Sequence, residues 1–122
     1  MTATPAKPIL YLAWSLQLAA AAIFLMAGYK KLTGDPQMVE VFATVGLGQW
    51  FRYLTGGLEV AGALALLWPR RIALGGAVLT VVMIGAVIAH LTVLGGSPLL
   101  AIVLLAACLM ITAMRRDTLP GR

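Results

Sequence analysis

Glu59 is the residue whose type and position ask for chemistry. It sits in TGGLEVAGALALLW (Thr55 to Trp68), and it is the only acid in any apolar stretch of the chain. An ionisable side chain in such a run marks a functional site by default. Two other kinds of ionisable group fall at a similar depth. If the stretch carrying Glu59 enters lipid near Tyr53, the carboxyl lies ~9 Å in, at 1.5 Å per residue. The next apolar stretch runs back the other way and leaves near Leu94, which puts His90 ~6 Å deep on the same side. The first apolar stretch also ends there, and Lys30 and Lys31 follow Gly28 directly.

The chemistry open to Lys31, Glu59 and His90 is ion pairing, proton exchange and hydrogen bonding to a small ligand. A lone ionised side chain at mid-membrane costs on the order of 2.5–3.5 kcal/mol, and less near the interface. Pairing with a cation lowers that cost. Lysine at a helix end can snorkel outward and is weak as a signal, whereas Glu59 requires a polar companion. Glu59 is flanked at i−4, i−3, i+3 and i+4 by Thr55, Gly56, Gly62 and Ala63, a small-residue face that lets another helix approach. Lys31 has Gly28 and Ala27 at i−3 and i−4, again small. Gln17, two heptads before Lys31, falls near that face and is expected to line a polar seam deeper in. Two readings follow: a pocket open to the outer leaflet, built from Lys31, Glu59, His90 and Gln17, or a Glu–Lys–His clasp that only fixes helix register.

Other chemistries are poorly supplied. One histidine and Glu59 give at most two metal ligands, too few for a zinc site, so no metal is expected. No serine has a histidine and acid at hydrolase spacing, and there is no phosphate loop. Cys108 is the single cysteine, which excludes dithiol–disulfide exchange within this chain and leaves a small packing group. Thr80, Thr92 and Thr112 are expected to bond back to their own helices. Glycines 75, 76 and 85 read as helix contacts.

The elements that must position these groups follow from hydropathy. The chain has 122 residues, 61% hydrophobic and 11% charged, and a mean hydropathy of +0.98, too apolar for a water-soluble shell. The expected class is an all-α integral membrane protein, one domain over residues 1–122. Four stretches meet the roughly 17–25 residues needed to span: about 9–28, 51–68, 72–94 and 98–114. Short links at Pro69-Arg70-Arg71 and Gly95-Gly96-Ser97 make neighbours antiparallel, which predicts an up-down four-helix bundle. The first stretch offers LAAAA as a cleavage site, but it is long for a signal core and only Lys7 precedes it, so a retained span is expected.

Net charge is +5, yet the cations cluster at the ends of apolar runs, as topology signals and headgroup anchors do, and nucleic acid is not expected as a partner. Lys7, Arg70, Arg71, Arg115, Arg116 and Arg122 fall on one side; Lys30, Lys31 and Arg52 fall on the other with Asp35 and Glu40. The positive-inside rule then puts both termini in the cytoplasm and the first loop outside. In that loop, TGDP (Thr33 to Pro36) stops one helix and starts another, with Asp35 as cap. Met38, Val41, Phe42 and Val45 recur at helical spacing and Gly46 suits a stop, which predicts a short amphipathic interfacial helix over about 36–45, acting as a tether or as a lid.

FLMAGYKKLTG (Phe24 to Gly34), GGLEVAGALALL (Gly56 to Leu67) and GAVIAHL (Gly85 to Leu91), in that order and spacing, resemble the DoxX-like family of small four-helix bacterial membrane proteins. The likeness covers about residues 20–113. It places the family's lysine, through its G-x-x-K-L pattern, on Lys31, its glutamate on Glu59 and its histidine on His90. Some relatives are associated with redox systems, including thiosulfate–quinone oxidoreductase subunits, and more distant animal relatives look like receptor-assembly chaperones. The resemblance implies a bacterial inner-membrane location and a chain that is not a stand-alone enzyme. It also implies membrane lipids and a redox protein as partners, with homo-oligomerisation left open. The expected function is binding of a quinone or lipid, in which Lys31 or His90 donates to a ligand carbonyl and Glu59 relays a proton. The alternative is a non-enzymatic assembly factor or complex subunit.

Overall fold

The protein is described by a computed structural model covering residues 5–119; Arg122, counted above among the cytoplasmic charges, lies outside them. The described residues are all-helical, with no strand among them. Helix α1 (Lys7–Thr33) is followed by α2 (Pro36–Val45), α3 (Trp50–Leu66), α4 (Ile72–Ala89) and α5 (Leu99–Met114). A π-helical turn, His90–Leu94, extends α4, and a 3₁₀ turn, Arg116–Thr118, follows α5.

The local reasons are visible in the residues. Pro8 occupies the first turn of α1, where a missing N–H costs nothing. That helix runs one turn past Gly28, which carries Lys30 and Lys31 on helical backbone. It stops at Gly34, whose left-handed φ of 74° lets its N–H return to the Lys30 carbonyl. Pro36 then starts α2 and Gly46, at φ 83°, ends it, within the expected bounds. Asp35 holds the cap position, but its side chain makes no capping bond.

Two helices are long and apolar enough to cross a membrane: α1, and α4 with its π turn. The shorter α5 is apolar throughout, and α3 carries Arg52 and Glu59. Helix α1 packs on α3, α3 on α4, α4 on α5, and α5 returns to α1. Inside this ring Phe24, Leu66, Ile72, Leu79 and Ile111 are fully buried among alanines. The outward faces remain apolar: Leu18, Met26, Val81, Ile88, Leu100 and Val103 are exposed. An apolar surface on α1, α4 and α5 suits lipid as solvent and would be costly in water.

Glycine sets how closely the helices approach. A Cβ on Gly28 would lie 2.6 Å from Val60 Cγ2 and 2.9 Å from the Gly56 carbonyl oxygen. A Cβ on Gly75 would meet the Gly62 carbonyl at 2.7 Å. Gly85 departs from its expected role, because nothing lies within 4 Å of a Cβ built there. It borders open space, not a helix contact. Thr80, Thr92 and Thr112 do bond back, to the Gly76, Ile88 and Cys108 carbonyls.

The end of the ring opposite Lys31 holds a polar knot that the sequence reading did not anticipate. Gln17 is fully buried; its Nε2 donates to the Leu66 carbonyl at 2.9 Å, and its Oε1 accepts from Arg115 Nη1 at 3.0 Å. Gln17 is thus placed in a different network from Lys31, because 14 residues of α1 between them span ~21 Å. Arg115 is 6% exposed and stacks over Trp14 at 5.6 Å, so it is a core residue and not the free headgroup anchor expected of a terminal arginine. Thr118 Oγ1 accepts the Ala73 N–H at 2.9 Å and satisfies one orphan donor in the first turn of α4. The segment after α5 therefore latches onto the start of α4 and the interior of α1.

Candidate functional site

The Gly28–Gly56 crossing creates the site. With no side chain at either position, the last turn of α1 lies against α3, and Lys31 is carried over Glu59. Lys31 Nζ is 2.8 Å from Glu59 Oε1. The Lys31 side chain is 14% exposed and that of Glu59 only 2%. Among the described residues the Lys31 ammonium is the one charged partner of Glu59 Oε1, and a carboxylate can accept at more sites than that contact occupies. The carboxyl is therefore buried with acceptor capacity to spare.

Arg52 holds this geometry from behind and was read from sequence only as a topology charge. It is buried, its Nη1 donates to the Lys31 carbonyl, and its Nε donates to Gln49 Oε1 at 2.7 Å. Its guanidinium stacks on the Tyr53 ring at 4.3 Å. The Lys31 carbonyl is one of the last four in α1, which have no partner within the helix. Arg52 supplies one from α3 and fixes the backbone that presents Lys31. The signal was legible: Arg52 stands two turns before Glu59, on the same face of α3.

Lys31, Glu59 and His90 all line one cleft of about 1320 Å³ between the helices. Its walls come from α3 and α4, with Val82, Gly85 and Ala86 on the latter, and from Leu100 and Leu104 of α5. Helix α2 closes one side, packing against α1, α3 and the π turn. It is fixed by Gln49 Nε2, which donates to the Val39 carbonyl at 3.0 Å, and by Phe42 edge-on to Phe51 at 5.9 Å.

His90 lines the cleft without joining the clasp. Its Nδ1 donates to the Ala86 carbonyl, one turn back, at 2.9 Å. A carbonyl can only accept, so Nδ1 carries a hydrogen and its own helix orients the ring, with Nε2 left uncommitted. The ring stands where α4 widens into its π turn, a feature frequent at functional sites. Of the four residues singled out from sequence, the structure pairs Lys31 with Glu59, places His90 on the same cleft, and puts Gln17 in the knot at the other end. Among the described residues no group of three metal-ligating side chains converges.

A sequence model described as the DoxX-like family matches residues 15–114, which take in all three cleft groups. The Bacillus subtilis (strain 168) protein YdgD, described as uncharacterized, is 36% identical over 103 residues, covering 81% of this chain and 90% of the relative. No solved structure matches.

Proposed function

The chain belongs to the DoxX-like family, and from that premise we propose that it is a four-span membrane protein whose cleft binds a small amphiphilic ligand, a quinone or a lipid, in support of a membrane redox partner. The four spans are α1, α3, α4 with its π turn, and α5, arranged up and down as one domain with both termini cytoplasmic. At 17 residues α3 rises ~26 Å, somewhat short of the ~30 Å hydrocarbon layer, and Trp50 at its first residue and Trp68 just beyond its last suit the two interfaces. Helix α2 lies on the outer surface over the cleft. This orientation, in the bacterial cytoplasmic membrane, has a direct check. A reporter fused after Arg122 stays cytoplasmic, and an external signal overturns it.

The observation that carries the ligand reading is the combination of an apolar cleft of about 1320 Å³ with a 2%-exposed acid at its polar end. Ligand sites are concave, mostly apolar and furnished with a few converging polar groups. The volume exceeds the roughly 300–1000 Å³ of a drug-sized pocket and suits a ring or headgroup with an apolar tail. Glu59 is the group that holds the polar end, Lys31 neutralises it, and the cleft excludes water around the tail.

A second reading is favoured by a separate observation. The Lys31–Glu59 pair and the Arg52 bond to the Lys31 carbonyl both fasten α1 to α3, as a purely structural clasp in an assembly factor would. Glu59→Gln and Glu59→Leu separate the two. The ligand reading predicts that Glu59→Gln folds but loses small molecules that co-purify with the wild type. Collapse of both variants, with nothing bound to the wild type, sinks it.

A further inference from the structure

Three cations gather at the end of the bundle that holds Glu59, and two of them are already engaged. Arg52 is buried against Gln49 and the Lys31 carbonyl, and the Lys31 ammonium faces Glu59 at 2.8 Å. Lys30 is exposed, and among the described residues it has no ion-pair partner. It stands at one end of an open groove of about 370 Å³ that runs along α1. Ala22, Met26 and Lys30 line it at i, i+4 and i+8, a length of ~12 Å, with Ile23 and Ala27 beside them. Met38 of α2 closes its edge. The two alanines are what leave a hollow among these longer side chains. The groove adjoins the cleft, but Ala22, Met26 and Lys30 line the groove alone. Asp35 and Glu40, the acids of the same end, line no part of it.

We infer that this groove seats an acyl chain of an anionic phospholipid, with the lipid phosphate against Lys30. The inference rests on the membrane placement of α1 and is independent of any ligand in the cleft. A lysine stem lying along apolar surface carries its ammonium to the level of the headgroups. A cation free of protein partners at that level attracts anionic lipid. The groove adds what a lone snorkelling lysine lacks, a fixed apolar bed two helical turns long beneath the ammonium. Exposed faces without such a cation take lipid without regard to its head. Helix α5 is one of them: Val103 is exposed, and no lysine or arginine lies along Leu99–Met114.

The test places the full chain in phosphatidylcholine nanodiscs doped with a phospholipid whose acyl chain bears a photoreactive diazirine. Two probes with identical chains are compared, one with a phosphatidylglycerol head and one with a phosphatidylcholine head. Adducts are mapped by peptide mass spectrometry on α1 over residues 22–30. Adducts on α5 around Val103 give the reference for unselective contact. Against that reference, the anionic probe is expected to label the groove about fivefold more than the zwitterionic one, the scale of one basic residue at an anionic surface. Lys30→Gln should bring the ratio to about one. Arg70→Gln, which removes an exposed cation from the opposite end, should leave it unchanged. Ala22→Trp fills the groove with Lys30 intact and should lower the ratio as Lys30→Gln does. Both groove positions are exposed, so neither variant disturbs the core. Equal labelling by the two probes, or a ratio that survives Ala22→Trp, overturns the inference. So does a ratio that falls as far in Arg70→Gln as in Lys30→Gln, because it would report net charge alone. Absence of adducts on α1 from either probe overturns the membrane placement of α1 as well.

Discussion

Lys31→Met will destabilise the protein more than Glu59→Leu, although each removes one half of the same pair. The reason lies in what each leaves behind. Without Lys31, the carboxyl at 2% exposure stays where α1, α3 and the cleft meet, with no cation among its described neighbours. Breaking a buried pair so that a charge is stranded costs about 3–5 kcal/mol. Without Glu59, the ammonium is not trapped. Lys31 is in the last turn of α1, 14% exposed, on a flexible stem that can swing to the interface. Glu59→Leu should therefore cost about 1 kcal/mol, the scale of a partly exposed pair. The double variant should recover most of the Lys31→Met loss, since apolar replacement of a buried pair is often neutral. Reversible unfolding in mixed detergent, followed by circular dichroism, gives all three values. Equal losses in the two single variants would show that Lys31 is as confined as Glu59.

The second large effect concerns neighbouring glycines with opposite surroundings. At Gly56 an added Cβ would lie 2.8 Å from Lys31 Cβ and 3.2 Å from the Gly28 carbonyl, whereas at Gly57 nothing comes within 4 Å. Gly56→Ala must push α1 away from α3, an overpacking cost of about 1–3 kcal/mol, and the displaced turn is the one that carries Lys31. Gly57→Ala adds a methyl to open space and removes a helix-interior glycine, so it should gain about 0.5–1 kcal/mol. Thermal melts in one detergent compare the two directly. A Gly56→Ala protein as stable as the wild type would mean that the crossing has slack, and the account of how Lys31 reaches Glu59 would be wrong.

These expectations show how far residue order carries and where it stops. Helix bounds were legible because the apolar runs are long, and because Gly34, Pro36 and Gly46 mark stops and starts by backbone chemistry. The Lys31–Glu59 meeting was legible because a solitary acid among glycines has few physical solutions. Gln17 was misplaced for a geometric reason. Heptad spacing reports a shared face but not depth, and two heptads along a straight helix reach the far end of the bundle. Arg115 and Arg52 were read as surface charges because composition cannot tell a terminal arginine that snorkels from one that turns inward to carbonyls and amides. The role of His90 depended on which ring nitrogen its own helix engages, and that is a property of coordinates. Gly85 looked like a contact glycine and borders the cleft instead. A glycine that permits close approach and one that leaves space read alike in sequence.

That last glycine also supplies the sharpest control for the central claim that the cleft is a ligand site. Gly85→Trp would place a large ring in the cleft from α4, a helix that carries neither Lys31, Glu59 nor the glycines of the α1–α3 crossing. The measurement is native mass spectrometry of the protein released intact from its own membrane, comparing wild type with Gly85→Trp and Glu59→Gln. The account predicts that the wild type carries a bound species in the mass range of a quinone or lipid, and that both variants fold and arrive without it. A wild-type chain that arrives bare, or a bound species retained in full by Gly85→Trp, would contradict it.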